Sequence, residues 1–185
     1  MVDLALLQSV SYIAGALGVC VAAIYYVMNL RVSQRNQELS LKAQQQSAET
    51  RQAQLFLQLY SQYYNKDWVA ALHKINFEIK FKGFDDFWEN YGPSNPDKFQ
   101  SFDLLSHYFE GAGVLVKKGL IDPSLVADLI AEELFGYWEK FGPIIDGFRE
   151  RSDNPNLGEN QEYLYKLLKE KYPKIKPTIV NRDPI

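Results

Sequence analysis

The hydrophobic pattern of the chain begins with one apolar block, residues 4–30, which contains no charged side chain. A helix rises about 1.5 Å per residue, so roughly 20 apolar residues cross the hydrocarbon core of a bilayer. Residues 10–30 meet that length. Tyr12 lies near one end and Tyr25 and Tyr26 near the other, where interfacial aromatic side chains are enriched. The pattern predicts a transmembrane helix over residues 4–30.

Three other interpretations of this block are possible in principle. A cleaved signal peptide carries basic residues before a shorter apolar core, whereas only Asp3 is charged here, although residues 21–23 (VAA) imitate a cleavage site. Residues 17–20 (LGVC) resemble a lipoprotein box, but Val19 stands where that box has a small residue. A buried core helix is the third, and the length of the charge-free block argues against it. The membrane span is favoured.

One face of the block carries Ala14, Gly18 and Ala22, spaced every four residues. Small residues at this spacing allow membrane helices to approach closely, which predicts a helix contact and a homo-oligomer. The alternative is that small residues are simply common in membrane spans. Cys20 is the single cysteine, so a disulfide within one chain is impossible.

Residues 31–54 are polar and contain no Gly or Pro, which predicts a helical stalk that continues the apolar helix. Basic residues follow the apolar block at Arg31, Arg35 and Lys42, and none precedes it. The positive-inside rule therefore predicts a cell-membrane protein with the N-terminus outside and the C-terminal domain in the cytoplasm.

Apolar residues recur at helical spacing from Leu55 to Tyr64, and no later stretch alternates with period two for long. We therefore predict an all-α fold, with a multi-helix bundle over residues 55–172 and an extended or disordered tail over residues 173–185. Helix start signals stand at Asp67, Asp85, Asn95-Pro96 and Asp122-Pro123, and stop or break signals at Gly119, Gly142-Pro143, Asp153 to Pro155 and Pro173.

Acidic residues outnumber basic ones, 23 against 20, and the stalk is itself basic, so the bundle is the acidic part of the chain. Nucleic-acid binding depends on Lys and Arg that neutralise phosphates, and the charge balance therefore predicts no nucleic-acid partner.

A short motif occurs twice, at residues 84–93 and 134–143. Both copies read apolar-x-x-aromatic-Trp-Glu-x-aromatic-Gly-Pro. The favoured interpretation is an aromatic helical turn that packs into the core and is ended by Gly-Pro. The alternative is a pair of aromatic clamps formed by Trp88 and Trp138, which with Tyr108 would provide a surface for a partner or a ligand.

Asp103, His107 and Glu110 lie on one helix face at i, i+4 and i+7, a spacing that could hold a metal with help from a second helix. The doubled Glu-x-x-His pattern of di-iron bundles is absent from the sequence, so we predict no metal site and no cofactor. In the favoured interpretation Asp103 and His107 are surface residues, and Glu110 forms a buried ion pair with Arg149.

No catalytic residue is assigned, because the sequence contains no recognisable pattern of a serine or cysteine nucleophile near a histidine. The run Gly111-Ala112-Gly113 lacks the strand and the Lys-Ser/Thr of a phosphate loop, and close helix packing explains it better. We therefore expect a protein that is not an enzyme.

A further set of motifs is Arg51-x-x-Gln54-Leu55, Leu59-Tyr60, residues 87–89 (FWE), residues 108–122 (YFEGAGVLVKKGLID), residues 138–143 (WEKFGP) and Arg149. With these motifs the chain resembles a prokaryotic family of domain-of-unknown-function proteins with one N-terminal membrane helix and a helical cytoplasmic domain. The likeness covers roughly residues 50–168, and it implies this fold and topology but no activity.

These features predict a single-pass membrane protein that acts as a tether, adaptor or accessory subunit. Its partners would be the lipid bilayer and a membrane or cytoplasmic protein. The alternative is a membrane-anchored sensor that binds a small apolar ligand in the bundle.

Overall fold

A computed structural model of the protein describes residues 4–178, and the regular secondary structure in that range is helical. The helices are α1 (Leu4–Tyr63), α2 (Lys66–His73), a π-helical segment (Lys74–Glu78), α3 (Phe84–Tyr91), α4 (Pro96–Lys117), α5 (Pro123–Ser152) and α6 (Glu159–Lys171). The chain divides into two compact units, Met1–Thr50 and Arg51–Ile185, and α1 contributes to both. The predicted all-α fold is confirmed.

In the first unit, the described residues 4–50 form one stretch of helix in which every side chain is exposed. Within residues 4–178, α1 is the one helix long and apolar enough to cross a membrane, with an 18-residue window of mean hydropathy 1.9. Residues 31–50 carry polar pairs along the helix, such as Lys42 Nζ and Glu38 Oε1 at 2.7 Å. The helix predicted through the polar residues is present and extends to Tyr63.

The second unit is built around α4, which packs against α6 and α2, while α5 packs against α6. Its core is rich in aromatic side chains, whose rings meet edge to face, stacked or tilted. Four phenylalanines are fully buried, and they are Phe87, Phe109, Phe135 and Phe141.

Several helix boundaries follow from local sequence chemistry. Helix α4 begins at Pro96, as predicted, and Gly119 turns the chain after it with φ +66°. Asp122 Oδ1 accepts a hydrogen bond from the Ser124 N–H at 2.7 Å and caps α5. Asp153 adopts the left-handed conformation, φ 50°, where α5 ends. A side-chain acceptor at the N-terminus and a left-handed residue at the C-terminus satisfy terminal backbone groups.

Two predicted caps are wrong. Asn65, not Asp67, caps α2, because its Oδ1 accepts the Asp67 N–H at 3.1 Å. Gly83 precedes α3, and Asp85 lies within the first turn of that helix. Helix α2 ends at His73, and the π-helical segment Lys74–Glu78 follows it directly.

The predicted break at Gly142-Pro143 is also wrong, because α5 runs through both residues to Ser152. Proline removes one backbone donor from a helix and crowds the preceding turn. Residues on both sides are nevertheless fixed in the core, since Phe141, Ile144 and Ile145 are at most 2% exposed. Tertiary packing therefore holds the helix together where the local signal would end it.

The start of the tail is non-helical, as predicted, and it lies against the domain. Ile175 packs on the core, and the Thr178 N–H donates to the Glu132 carbonyl at 3.1 Å. The rest of the predicted tail, residues 179–185, lies outside the described residues.

Candidate functional site

Two cavities share Asp103 and His107 of helix α4. We call the first, of about 190 Å³, the phenylalanine cavity, and the second, of about 430 Å³, the tryptophan cavity. The phenylalanine cavity is lined by Phe99, Phe102, Asp103, Ser106, His107, Glu110, Ile145, Phe148, Leu157, Gly158 and Gln161. The tryptophan cavity is lined by Gln62, Asn65, Trp68, Gln100, Asp103, Leu104, His107 and Tyr108.

The phenylalanine cavity has apolar walls and a buried amide. Its rings belong to Phe99 and Phe102 of α4 and Phe148 of α5. Gln161 of α6 is only 3% exposed, and its Oε1 has no hydrogen-bond partner among residues 4–178. An unpaired buried acceptor is uncommon in folded proteins and calls for an explanation.

Glu110 fixes the end of α6 that borders this cavity. Its carboxylate accepts the Asn160 N–H at 3.1 Å, the Asn160 side-chain amide at 2.6 Å and the Gln161 N–H at 2.9 Å. Helix α6 has glycine, Gly158, at its N-cap and so lacks a side-chain acceptor of its own. The carboxylate of α4 therefore satisfies the first N–H groups of α6 and complements the helix dipole.

The Gly111-Ala112-Gly113 run lies where α4 meets α6. Ala112 is fully buried, and a Cβ on Gly113 would collide with the Asn160 backbone. The interpretation of this run as a close helix contact is confirmed at Gly113.

Arg149 contacts a different set of groups, so the predicted Glu110–Arg149 ion pair is wrong. Its guanidinium donates to the Leu157 carbonyl at 2.8 Å, to Asp146 at 2.9 Å and to Glu162 at 2.8 Å. Hydrogen bonds from Lys166 and then from Arg149 hold the pKa of Glu162 below its ordinary value. The sequence prediction failed because it did not foresee that α6 would use Glu110 as its cap.

Asp103 and His107 form a pair on the rim between the cavities. His107 Nδ1 lies 2.8 Å from the Asp103 carbonyl oxygen and 3.4 Å from its carboxylate. The imidazole is largely exposed, as predicted. Residues 4–178 contain no cluster of three or more His, Cys, Asp or Glu that could hold a metal ion.

The tryptophan cavity lies against an aromatic cluster that includes Tyr63, the last residue of α1. The Trp68 ring centroid lies 4.5 Å from that of Tyr63 and 5.5 Å from that of Tyr108. Tyr63 donates to Glu133 Oε1 at 2.9 Å, and burial raises the pKa of both groups. Trp68 Nε1 is buried without a hydrogen-bond partner among residues 4–178.

The three aromatic residues proposed as one partner or ligand surface contact separate groups. Trp88 packs on Phe148 and carries Arg151 over its ring at 4.0 Å. Trp138 stacks on Tyr165, with centroids 5.8 Å apart. Tyr108 is buried and donates to the Leu59 carbonyl at 3.1 Å. Neither tryptophan lines either of the two cavities above.

Part of the apolar spacing noted from Leu55 to Tyr64 is exposed and lies at the end of α1. Leu57 is 61% exposed, Tyr60 42% and Tyr64 65%, and the two tyrosine rings lie 4.8 Å apart. On the same stretch Leu59 is buried, and Leu55 and Tyr63 pack against the core, so only one side of the apolar stripe faces the core. We call Leu57, Tyr60 and Tyr64 the tyrosine stripe.

The fold and these sites define an α-helical protein with one apolar N-terminal helix and an aromatic-rich helical domain. The chain belongs to the DUF4760 family, a domain of unknown function, whose sequence profile matches residues 12–168. No curated protein and no solved structure matches this chain. The expected membership of an uncharacterised helical family is confirmed, and its description assigns no activity.

Proposed function

We propose that this chain is a single-pass membrane protein whose helical domain binds a protein partner, as a tether, adaptor or accessory subunit. The observation that supports this most is that every apolar side chain in residues 4–30 is exposed. Burying one large apolar side chain stabilises a protein by about 1.5–3 kcal/mol, so these side chains favour a state in which they are removed from water. A lipid bilayer surrounds a helix that crosses it and so removes its apolar side chains from water.

The flanking charges support an orientation with the domain in the cytoplasm. Arg31, Arg35 and Lys42 follow the apolar segment, and residues 1–30 contain no Lys or Arg. The small-residue face at Ala14, Gly18 and Ala22 is exposed in the single chain, which suits a helix–helix contact in the membrane.

The tyrosine stripe is the surface that best suits a protein partner. Tyrosine is enriched at interfaces because it buries a large ring and keeps a polar end. Leu57 adds an aliphatic contact on the same helix, and the stripe offers no catalytic group. Its chemistry fits an apolar face of another protein.

Orientation is tested by labelling a unique cysteine in sealed vesicles. In a Cys20→Ala background, cysteine replaces exposed Ser152, and a membrane-impermeant maleimide is added to right-side-out vesicles. We expect labelling only after the vesicles are opened with detergent. Labelling of intact vesicles would contradict the orientation, and recovery of the chain in the aqueous fraction would contradict the anchor.

Partner binding is tested with a photo-crosslinking amino acid at Tyr64 in the full chain in its native membrane. The matched control places the same probe at exposed Glu150. We expect an adduct with one discrete protein at Tyr64 only, which is lost when Tyr60 is changed to serine. The same adducts at both positions, or none at Tyr64, would contradict the proposal.

A further inference from the structure

We infer that residues 11–50 of helix α1 pair with the same residues of a second copy of this chain, in a parallel two-stranded coiled coil. The contact face, which we call the heptad seam, consists of the positions reached from Ser11 to Thr50 in alternating steps of four and three residues. It lies within the first unit and does not include the tyrosine stripe. The inference rests on the proposed membrane anchor, which places both copies in one bilayer with their stalks on the same side.

The spacing of the seam matches the geometry of two paired helices. Positions that recur every 3.5 residues on average stay on the face that meets the partner as two helices supercoil. A helix that faces only lipid or water requires no such repeat. In the structure every seam side chain is exposed, so this face is open to a second copy.

In the membrane-spanning half, the seam consists mostly of small residues. These positions are Ser11, Gly15, Gly18, Ala22, Tyr25 and Asn29. Small side chains let two helix backbones approach closely in lipid, where packing rather than the hydrophobic effect drives association. A Cβ on Gly15 or Gly18 would meet no other part of the described chain, residues 4–178, within 4 Å. Glycine weakens a helix relative to alanine, and a second helix against this face gives both glycines a reason.

In the polar stalk, the seam is free of charge. Its positions are Val32, Asn36, Leu39, Ala43, Gln46 and Thr50. The charged residues of the same stretch all lie off the seam, and they are Arg31, Arg35, Glu38, Lys42 and Glu49. Pairing along the seam therefore buries no charge, which would be costly without a partner of opposite sign.

The charges beside the seam are compatible with a parallel second copy. In a parallel coiled coil, a residue directly before every second seam position faces the residue five positions later on the partner helix. Arg35 would face Ser40 of the second copy, and Lys42 would face Ser47 of the second copy. Like charges therefore do not meet at these positions. Lys42 keeps its ion pair with Glu38 of its own chain, at 2.7 Å.

The amide side chains on the seam favour pairing in register. The amides of Asn29, Asn36 and Gln46 have no hydrogen-bond partner among residues 4–178. An amide both donates and accepts, so each of them can bind the same residue of a second copy when the two chains are in register. An asparagine at such a core position favours two strands and fixes their register in coiled coils.

The bilayer makes a polar stalk sufficient for pairing. Two chains whose membrane helices are in contact present their stalks to each other at a high effective concentration, so weak contacts along the stalk add to the association. The pairing is therefore a property of the full chain in its membrane.

Disulfide crosslinking of the full chain in its native membrane tests the pairing. In a Cys20→Ala background, Leu39→Cys is on the seam and its matched control Leu41→Cys is off it, and Ala43→Cys and Ala48→Cys form a second such pair. We expect mild oxidation to form disulfide-linked dimers at least about fivefold faster on the seam than at the controls, because a disulfide needs Cβ atoms about 4 Å apart. Co-expression of the chain with two different tags identifies the product as two copies.

A charge placed on the seam should separate the copies. Asn36→Lys in the Leu39→Cys protein should slow dimer formation at least about fivefold, because two like charges would meet, whereas Gln34→Lys, off the seam, should not. Co-expression of Asn36→Lys with Asn36→Glu, each with its own tag, should restore a mixed dimer. Both positions are exposed on the helix, so a loss of dimer would not reflect a folding defect of the domain.

The membrane fraction separates this inference from the proposed anchor. Recovery of the chain in the aqueous fraction would overturn both. A membrane-bound chain that forms no dimer, or forms it equally fast at Leu39→Cys and Leu41→Cys, would overturn the pairing and leave the anchor standing. A disulfide-linked product with another protein in place of the second copy would also overturn the pairing.

Discussion

The repeated motif at residues 84–93 and 134–143 has two structural outcomes from one pattern. After Trp88, helix α3 ends at Tyr91 and the chain turns at Gly92. After Trp138, helix α5 continues through Gly142 and Pro143. The same Gly-Pro pair therefore stops one helix and lies inside another.

The difference comes from what surrounds each copy. At the first, the chain forms a local turn, in which the Asn95 N–H donates to the Gly92 carbonyl at 2.8 Å and the Asn95 side chain to the Glu89 carbonyl at 2.9 Å. At the second, Phe141 and the following isoleucines are buried in the core. In this chain, Gly-Pro ends the helix where polar turn contacts follow it and lies within the helix where buried apolar residues follow it.

The largest expected change in stability comes from replacing the aromatic residue before each glycine. Phe141→Ala should lower the unfolding free energy by about 3–5 kcal/mol, because a fully buried ring leaves a cavity. Tyr91→Ala should cost clearly less, since this ring is half-buried. Urea unfolding of the full chain in detergent micelles measures both, and equal losses would contradict the assignment of one copy to the core.

Replacing the two prolines with alanine should change the unfolding free energy differently. Pro143→Ala restores a helix-interior donor at an exposed position and should raise the unfolding free energy by about 2 kcal/mol at most. Pro93→Ala lies in a turn, and we expect a loss or no change. A destabilised Pro143→Ala protein in the same unfolding assay would show that proline sets the shape of α5.

The glycines provide a smaller contrast. A Cβ on Gly92 would collide with the Trp88 carbonyl, which accepts the Gly92 N–H at the end of α3. Gly92→Ala should therefore cost about 1 kcal/mol. Gly142→Ala should cost nothing or stabilise, because a Cβ there lies 3.4 Å from the Trp138 ring and alanine favours helix. Thermal melts of the two variants would refute this contrast if both lost stability equally.

The smallest expected effect is a pH dependence of the unfolding free energy that comes from Lys140. This residue occupies the position that Asn90 has in the first copy of the motif. Lys140 Nζ donates to the carbonyls of Ile75 and Ile79 at 2.5 and 2.7 Å. Burial, with Lys80 nearby, lowers the pKa of Lys140 from 10.5 to about 8. Between these values the unfolded chain binds a proton that the folded chain has released, so the contribution of Lys140 to stability rises with pH.

Lys140→Met should remove that rise, whereas Asn90→Leu should shift stability equally at every pH. Unfolding free energies of the variants and the wild type across pH 8 to 10.5 check this. A constant difference between Lys140→Met and the wild type would contradict the lowered pKa.

Local signals predicted much of the fold. Pro96, Gly119, Asp122 and Asp153 stand at boundaries because their own side chains or backbone angles create those boundaries. Gly142-Pro143 misled the prediction because distant core residues decide there, and no local pattern reports them. No sequence pattern described above predicts the π-helical segment after His73.

The candidate sites were less predictable, because they depend on pairs of residues far apart in sequence. Glu110 was correctly singled out, but its partners lie on α6 rather than at Arg149. Nothing in the sequence marks Gln161, since an isolated glutamine in a helix is ordinary. The tyrosine stripe was visible as apolar spacing, yet spacing alone does not tell which side of a wide stripe faces the core.

The capping of α6 by Glu110 has a consequence for the order of folding. A short helix is unstable alone, and this one, Glu159–Lys171, obtains acceptors for its first N–H groups from α4. We therefore expect its first turn to consolidate only when it meets α4. The phenylalanine cavity, which Gln161 of α6 helps to line, should then form at that late docking step during synthesis.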